Sequence, residues 1–361
     1  MTEEGYGKAL ADYVVNSSEF SCDGEGSKKF KHCYSSLATR SSVACSIKTL
    51  EKEAKRCKKT LPNPHPNSAC FVCFAEERMD LCKALVTGPT ETPYSLGLFE
   101  FDILFPSSYN RIPPLVTFLT TGGGQTRMGP NLYQDGKVCL SLLGTFNAGS
   151  DSERWNPDHS SLAQVLLSIQ TQLLVAEPYY NEPGTEQMQV TRAGMEASTR
   201  YNANLRLATL RYAINQPLKH PPLGFEDISL RHFSMSRKRL LVQVKRWVLE
   251  AKGTALHSRL ERGYCELVHL LTSVKDINSY DALPPLEDDV AALQRLQPTF
   301  LAQEHDERKP AAKEDASTAG EGINAATDEG TYNPWINGST EIAGQHQAVE
   351  ATSVEDEEMY T

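Results

Sequence analysis

Cys139 lies in the run GPNLYQDGKVCLSLLGT, inside an irregular stretch from 122 to 159 that is rich in Gly, Asn, Pro and Asp. A loop that long in a compact domain is usually functional or disordered, and loops held by a rigid scaffold are where reactive groups concentrate. Against this stands the plainer alternative, an inert thiol in a short buried strand Val138-Cys139-Leu140, since free cysteine is among the most buried residue types. No histidine adjoins Cys139; His159 is the nearest along the chain. A cysteine hydrolase depends on a Cys–His couple that makes a strong thiolate. Thiol exchange instead works between sulfurs of similar basicity. The surroundings of Cys139 therefore suit thioester relay better than hydrolysis. A second candidate, Cys70-x-x-Cys73, has no second ligand pair at metal-site spacing and sits in an apolar run, so core packing is the expectation there.

The elements that would position Cys139 can be read on either side of it. Val43, Ile47, Leu50, Ala54 and Cys57 recur at helical steps and predict one helix face, with Lys48, Lys52, Lys55, Arg56, Lys58 and Lys59 opposite; Pro62, Pro64 and Pro66 stop it. Four strand candidates follow: 69–75, 81–87, 97–105 and 114–121, separated by short turns that favour an antiparallel meander. After the irregular stretch, Ser160 or Ser161 caps a helix whose buried face is Leu162, Val165, Leu166, Ile169 and Leu173. Helical patterns recur at about 199–215 and 225–250, and 256–298 could hold one or two more. Asn16-Ser17-Ser18 and Asp23-Gly24-Glu25-Gly26 suggest loops in a first segment that carries little pattern.

Composition narrows the class. The chain has 361 residues, 40% apolar and 23% charged, as in a soluble globular protein, and no run reaches the length of a membrane helix. The start MTEEGYGKAL lacks a signal-peptide layout, so nine irregularly spaced cysteines predict reduced thiols in the cytosol or nucleus. From Leu301 onward 14 Asp and Glu face 3 Lys and Arg, a balance of −11, which leaves +1 for the other 300 residues of a chain whose net charge is −10. A near-neutral folded part argues against a nucleic-acid groove, and the acidic remainder has the composition of a disordered tail.

Several blocks, in order, resemble the ubiquitin-conjugating (E2) family over residues 43–183. Gly88-Pro89, Thr92-Pro93-Tyr94 and Gly97-x-Phe99 are similar to its Gly-Pro…Pro-Tyr…Gly-x-Phe segment, and Phe105-Pro106-x-x-Tyr109 with Pro113-Pro114 to its Phe-Pro-x-x-Tyr-Pro…Pro-Pro segment. Pro130-Asn131, Asp135-Gly136 and Cys139-Leu140 resemble its active-site stretch, and Trp155-Asn156-Pro157 its Trp-Ser-Pro. The runs TGPTETPY, TTGGG, ERWNP and VAEPYYNEPG are most similar to the conjugating domains at the C-terminal ends of very large hybrid E2/E3 proteins. The resemblance implies that Cys139 accepts ubiquitin as a thioester from the E1 activating enzyme and passes it to a lysine amine of a substrate or an E3 ligase. It implies that Asn131 serves the oxyanion or braces its loop, and that Glu182 and Asn181 fall where an acidic residue orients the acceptor lysine. No bound cofactor or metal is expected, with ATP consumed at the E1. The partners are proteins, without nucleic acid or membrane.

Departures from the pattern are as informative. The family's His-Pro-Asn is Gly129-Pro130-Asn131; a literal His65-Pro66-Asn67 lies too far from Cys139 to matter. The stretch from Cys139 to Trp155 is longer than in minimal members, Arg111 stands where many E2s present an apolar residue to RING-type E3s, and the basic helix face resembles the E1 docking surface. The expected fold is α+β: an N-terminal helix, a four-stranded antiparallel meander and C-terminal helices. The expected division is a segment of unclear structure over 1–40, the catalytic core over 41–185, a helical extension over 186–298 and the acidic tail over 299–361. Two other classes stay open, an E2-fold adaptor of weak activity and a thiol hydrolase.

Overall fold

The computed structural model describes residues 3–18, 32–35, 45–76, 78–146 and 150–273. A helix α1 (Glu3–Leu10) leads into strand β1 (Val15–Ser18). Helix α2 (Ile47–Thr60) precedes the strands β2 (Cys70–Ala75), β3 (Leu81–Thr87), β4 (Leu98–Leu104) and β5 (Leu115–Phe118). Helix α3 (Leu162–Ser168) continues through a wide turn over Ile169–Leu173. Helix α4 (Arg192–Ala208) runs likewise through Thr209–Asn215 into a last turn, Gln216–Lys219. Helices α5 (Glu226–Glu250) and α6 (His257–Ser273) complete the described chain. The class is α+β.

The sheet has five strands in sequence order, and β2 to β5 form the antiparallel meander. The fifth strand corrects the four-stranded expectation. β1 lies parallel to β2, Val15 opposite Val72 and Ser18 opposite Ala75, so Asn16-Ser17-Ser18 is a strand, not a loop. The N-terminal segment is thus part of the sheet, and α2 is preceded by another helix. The face of α2 also differs. Leu50, Glu53 and Cys57 are buried, whereas Ile47 is 66% exposed. Val43, the 274–298 part of the extension and the acidic tail lie outside the described residues.

Because side chains alternate across a strand, the sheet separates two cores. On one face Cys70, Val72, Phe74, Cys82, Ala84, Val86, Phe99, Phe101 and Ile103 pack against Leu50 and Cys57 of α2 and Leu162, Val165 and Leu166 of α3. On the other Phe71, Cys73, Leu81, Leu85 and Leu98 pack against Tyr6 and Leu10 of α1 and Phe233, Leu240 and Trp247 of α5. Cys70 and Cys73 therefore point to opposite faces and cannot share a metal or form a redox couple. Burial pushes both thiols up to about 12.

Two carboxylate and guanidinium contacts lock α2 to α3. Glu53, buried on α2, accepts a 2.8 Å hydrogen bond from the Leu162 amide at the start of α3, where a negative charge also meets the helix dipole favourably. Arg56 donates to the Ser160 carbonyl at 2.8 Å, and Ser161 caps α3 by accepting from the Gln164 amide. Arg56 is therefore a structural tie as well as part of the basic face. No described helix is long and apolar enough to cross a membrane.

Candidate active site

The active-site loop is held by a small ribbon that the Asp135–Gly136 turn closes. Gly136 has φ of 91°, and a Cβ there would stand 2.9 Å from the Phe118 carbonyl, so the tight turn against β5 requires glycine. Leu132 pairs with Val138, the Cys139 amide donates to the Asn131 carbonyl at 2.8 Å, and the Tyr133 amide to the Lys137 carbonyl at 3.0 Å. This register puts Asn131, Tyr133, Lys137 and Cys139 on one side of the ribbon.

Cys139 sits just beneath the surface, 6% exposed. Thr145 straddles it: its hydroxyl donates to the Val138 carbonyl at 2.6 Å and accepts from the Leu140 amide at 3.0 Å, which fixes the backbone on both sides of the thiol. The Asn131 amide nitrogen donates to the Cys139 carbonyl at 3.2 Å. A carbonyl can only accept, so this contact also settles which amide atom is nitrogen. One of its two N–H groups braces the loop. Its oxygen is buried with no partner among the described residues.

Around this pair lies a group that sequence reasoning missed. The Tyr133 phenol lies on the Cys139 side of the ribbon; burial raises it above its usual value, Arg127 pulls it down, and the neighbouring Cys139 adds to the rise. The Arg127 guanidinium stacks 4.2 Å from the centre of the Tyr133 ring. It also donates to the Gly129 carbonyl at 3.0 Å, to the Pro130 carbonyl at 2.5 Å and to the Glu182 carboxylate at 3.2 Å. Lys137 places its ammonium 5.6 Å from the same Tyr133 ring centre. The Tyr201 phenol of α4 feels both Arg127 and Glu182, though burial dominates its rise. The Asp-Gly turn carried a signal for Tyr133, because its register places residues 131, 133, 137 and 139 together. Nothing local pointed to Arg127, whose carboxylate partner is 55 residues away.

The structure thus brings Cys139 and Asn131 together and places Glu182 near them through Arg127 and Tyr133. It turns the Asn181 amide elsewhere, onto the Gln172 carbonyl at 2.8 Å at the end of α3. Gly129, where the family has histidine, has a physical reason: a Cβ would meet the Tyr94 hydroxyl at 2.9 Å, and that hydroxyl donates to the Met128 carbonyl at 2.8 Å. Among the described residues no group of three His, Cys, Asp or Glu could hold a metal ion.

Residues 49–209 match the sequence model of the ubiquitin-conjugating enzymes. They belong to the ubiquitin-conjugating (E2) family. The chain is 40% identical over 245 residues to the mouse dual E2 ubiquitin-conjugating enzyme/E3 ubiquitin-protein ligase BIRC6, across 66% of this chain and 5% of that protein. It is 47% identical over 201 residues to the probable ubiquitin-conjugating enzyme protein 17 of Caenorhabditis elegans, across 56% of this chain and 27% of that one. It is 40% identical over 187 residues to the putative ubiquitin-conjugating enzyme E2 38 of Arabidopsis thaliana, across 52% and 54%. The chain therefore spans between a twentieth and about half of these relatives. The E2 match covers β2 to β5, the Cys139 ribbon, α3, α4 and most of α2, while α1 and β1 precede it and α5 and α6 follow it.

Proposed function

We propose that this chain is a ubiquitin-conjugating enzyme whose carrier residue is Cys139. The Cys139 thiolate attacks the carbonyl of the ubiquitin–E1 thioester, the E1 thiolate leaves, and ubiquitin is held as a thioester on Cys139. A lysine amine of a substrate or of an E3 ligase then attacks that carbonyl. The oxyanion so formed takes the spare N–H of Asn131 and collapses, expelling the Cys139 thiolate, while the attacking nitrogen passes its proton to the Glu182 carboxylate. In this reading Glu182 also orients the incoming lysine, while the Asn181 amide is bonded to the Gln172 carbonyl. The reaction needs no cofactor bound here, because ATP is spent at the E1, and it belongs in the cytosol or nucleus. The observation that carries the reading is the pairing of these two loop residues, with the Cys139 backbone amide on the Asn131 carbonyl at 2.8 Å and the Asn131 side-chain amide on the Cys139 carbonyl at 3.2 Å.

The test is charging by E1, Mg-ATP and ubiquitin, followed on a non-reducing gel. The expected adduct dissolves in reductant, persists as an ester in Cys139→Ser and disappears in Cys139→Ala. An adduct retained by Cys139→Ala would move the carrier role to another thiol. No adduct with ubiquitin or with related modifiers and their own E1s would leave a binding role for the fold.

A further inference from the structure

The geometry points to Arg127 as a positioning residue for the transfer step, holding Asn131, Tyr133 and Glu182 in one arrangement around Cys139; this rests on the carrier role proposed above. A single guanidinium spans three parts of the site. Its Nε donates to the Gly129 carbonyl and one Nη to the Pro130 carbonyl, the two peptide groups that lead into Asn131. The same Nη donates to the Glu182 carboxylate, and the guanidinium lies 4.2 Å from the centre of the Tyr133 ring, which shares one side of the ribbon with Cys139. No side chain at 129 can share this work, since the Tyr94 hydroxyl fills the space a Cβ would need.

Two properties of the contact set make it more than a surface ion pair. The fork geometry is used for carbonyls and a carboxylate at once, which a lysine's single ammonium cannot copy. The cation also stands at the approach to the thioester. There it disfavours the protonated form of an incoming amine, and it competes with that amine for Glu182. Arg127 therefore acts on the second step, where Asn131 and Glu182 meet the acceptor. The first step, exchange between two sulfurs, needs neither the oxyanion geometry nor an oriented amine to the same degree.

The test is single-turnover discharge of the pre-charged full chain to free lysine across a pH range, beside its rate of charging by E1, for Arg127→Gln and Arg127→Lys. Discharge of Arg127→Gln should fall by about tenfold, well short of the hundredfold that misplacement near 1 Å can cost, and by several times more than charging. Its pH profile should shift to the alkaline side, because the amine has lost a neighbouring cation and gained an unpaired carboxylate. Arg127→Lys keeps the charge, so its profile should stay in place while its rate recovers only in part. In a Glu182→Gln background, Arg127→Gln should cost less than it does alone. Discharge within twofold of the parent, or charging and discharge falling in parallel with a lowered Tm, would overturn the assignment, as would fully multiplicative losses in the double variant. A parent chain that takes no ubiquitin onto Cys139 would instead refute the carrier role itself, and it shows in the charging lanes before any variant is read.

Discussion

The two faces of the sheet are buried by different means. The face under α2 and α3, which carries the active-site ribbon at its edge, is lined by Val72, Ala84, Val86, Phe101 and Ile103 and is apolar throughout. The opposite face alternates apolar residues with charge. Lys83 on β3 meets Glu100 at 2.5 Å and Asp102 at 3.0 Å on β4, and all three side chains lie beneath other residues, at 5%, 19% and 1% exposure. Residues 32–34 close over them. The Cys33 amide donates to Asp102 at 2.7 Å, His32 bonds the Cys82 carbonyl at 3.1 Å, and Tyr34 pairs with Thr117 at 2.6 Å. A second polar relay crosses this side, from the Tyr6 hydroxyl to His232 at 2.7 Å and from His232 to the Leu96 carbonyl at 3.1 Å. Since that carbonyl accepts, His232 carries its proton on Nε2 and takes the Tyr6 proton bond on Nδ1. The contrast teaches that an alternating polar pattern marks one face of a strand without saying that the face is wet. Here the N-terminal segment and α5 cover it, and the polar groups pair with one another.

The largest expected effect separates the faces by the character of their mutational losses. On the apolar side a truncation such as Ile103→Ala should cost about 2–5 kcal/mol through lost contacts and a cavity. On the charged side Lys83→Met should cost about 3–5 kcal/mol for another reason, two buried carboxylates left without their cation. Burial by itself would lower the Lys83 ammonium, but Glu100 and Asp102 outweigh it and raise it; burial raises the Glu100 carboxyl against the pull of Lys83. Replacing Lys83, Glu100 and Asp102 together by Met, Leu and Leu should recover most of the loss, which no second truncation on the apolar side could do. Denaturant unfolding of the single and triple variants decides the matter. A triple variant no more stable than Lys83→Met would mean that the cluster is not a self-compensating unit.

Acid should then find the covered face before the apolar one. Both histidines that are buried among the described residues, His32 and His232, lie there. Burial lowers His32, with Asp102 opposing, and lowers His232 to about 4. A depressed histidine takes up its proton in the unfolded chain first, so the unfolded state binds more protons and stability falls as pH falls. The loss begins near the unperturbed value of about 6.5 and continues down to about 4. For His232 alone it amounts to about 3 kcal/mol at the end of that window. Above pH 7 the histidines contribute no slope. Urea midpoints measured between pH 4 and 8 should show this fall, and His232→Gln should flatten it despite a lower plateau. An unaltered slope in that variant would place the acid sensitivity elsewhere.

Much of this architecture was legible because the face under α3 obeys the rules that sequence patterns express. Leu162, Val165, Leu166, Ile169 and Leu173 are all buried at the spacing read from the chain, Ser161 caps as expected, and β3 has the predicted bounds. What escaped was held by partners rather than by pattern. Val15–Ser18 is a strand because β2 offers backbone groups beside it and because Tyr6, Leu10 and Val14 anchor the chain on either side of the sheet; its own residues suggest a loop. Ile47 matches the helix period but lies in the first turn of α2, beyond the reach of the core. At the site, Asn131 and Cys139 were legible through the family resemblance and prove to be paired across the ribbon, whereas the Arg127 contacts depend on two loops that only the fold brings together.

The smallest expected effect lies at the departure from the family's His-Pro-Asn. Gly129 and Tyr94 exclude a side chain between them, and the Tyr94 hydroxyl is itself tied to the Met128 carbonyl. Gly129→Ala must therefore displace the end of a fully buried ring, at a cost of about 1–3 kcal/mol as an overpacked site. Tyr94→Phe alone loses one hydrogen bond and leaves the Met128 carbonyl wanting, about 1 kcal/mol. In the double variant the methyl group occupies the space the hydroxyl vacated, so the two losses should not add; the coupling expected between contacting residues is about 1 kcal/mol in favour of the pair. Thermal unfolding gives the coupling, and lysine discharge gives its functional echo: the double variant should transfer faster than Gly129→Ala. If the two losses simply added, steric exclusion by the Tyr94 hydroxyl would not be what keeps position 129 a glycine.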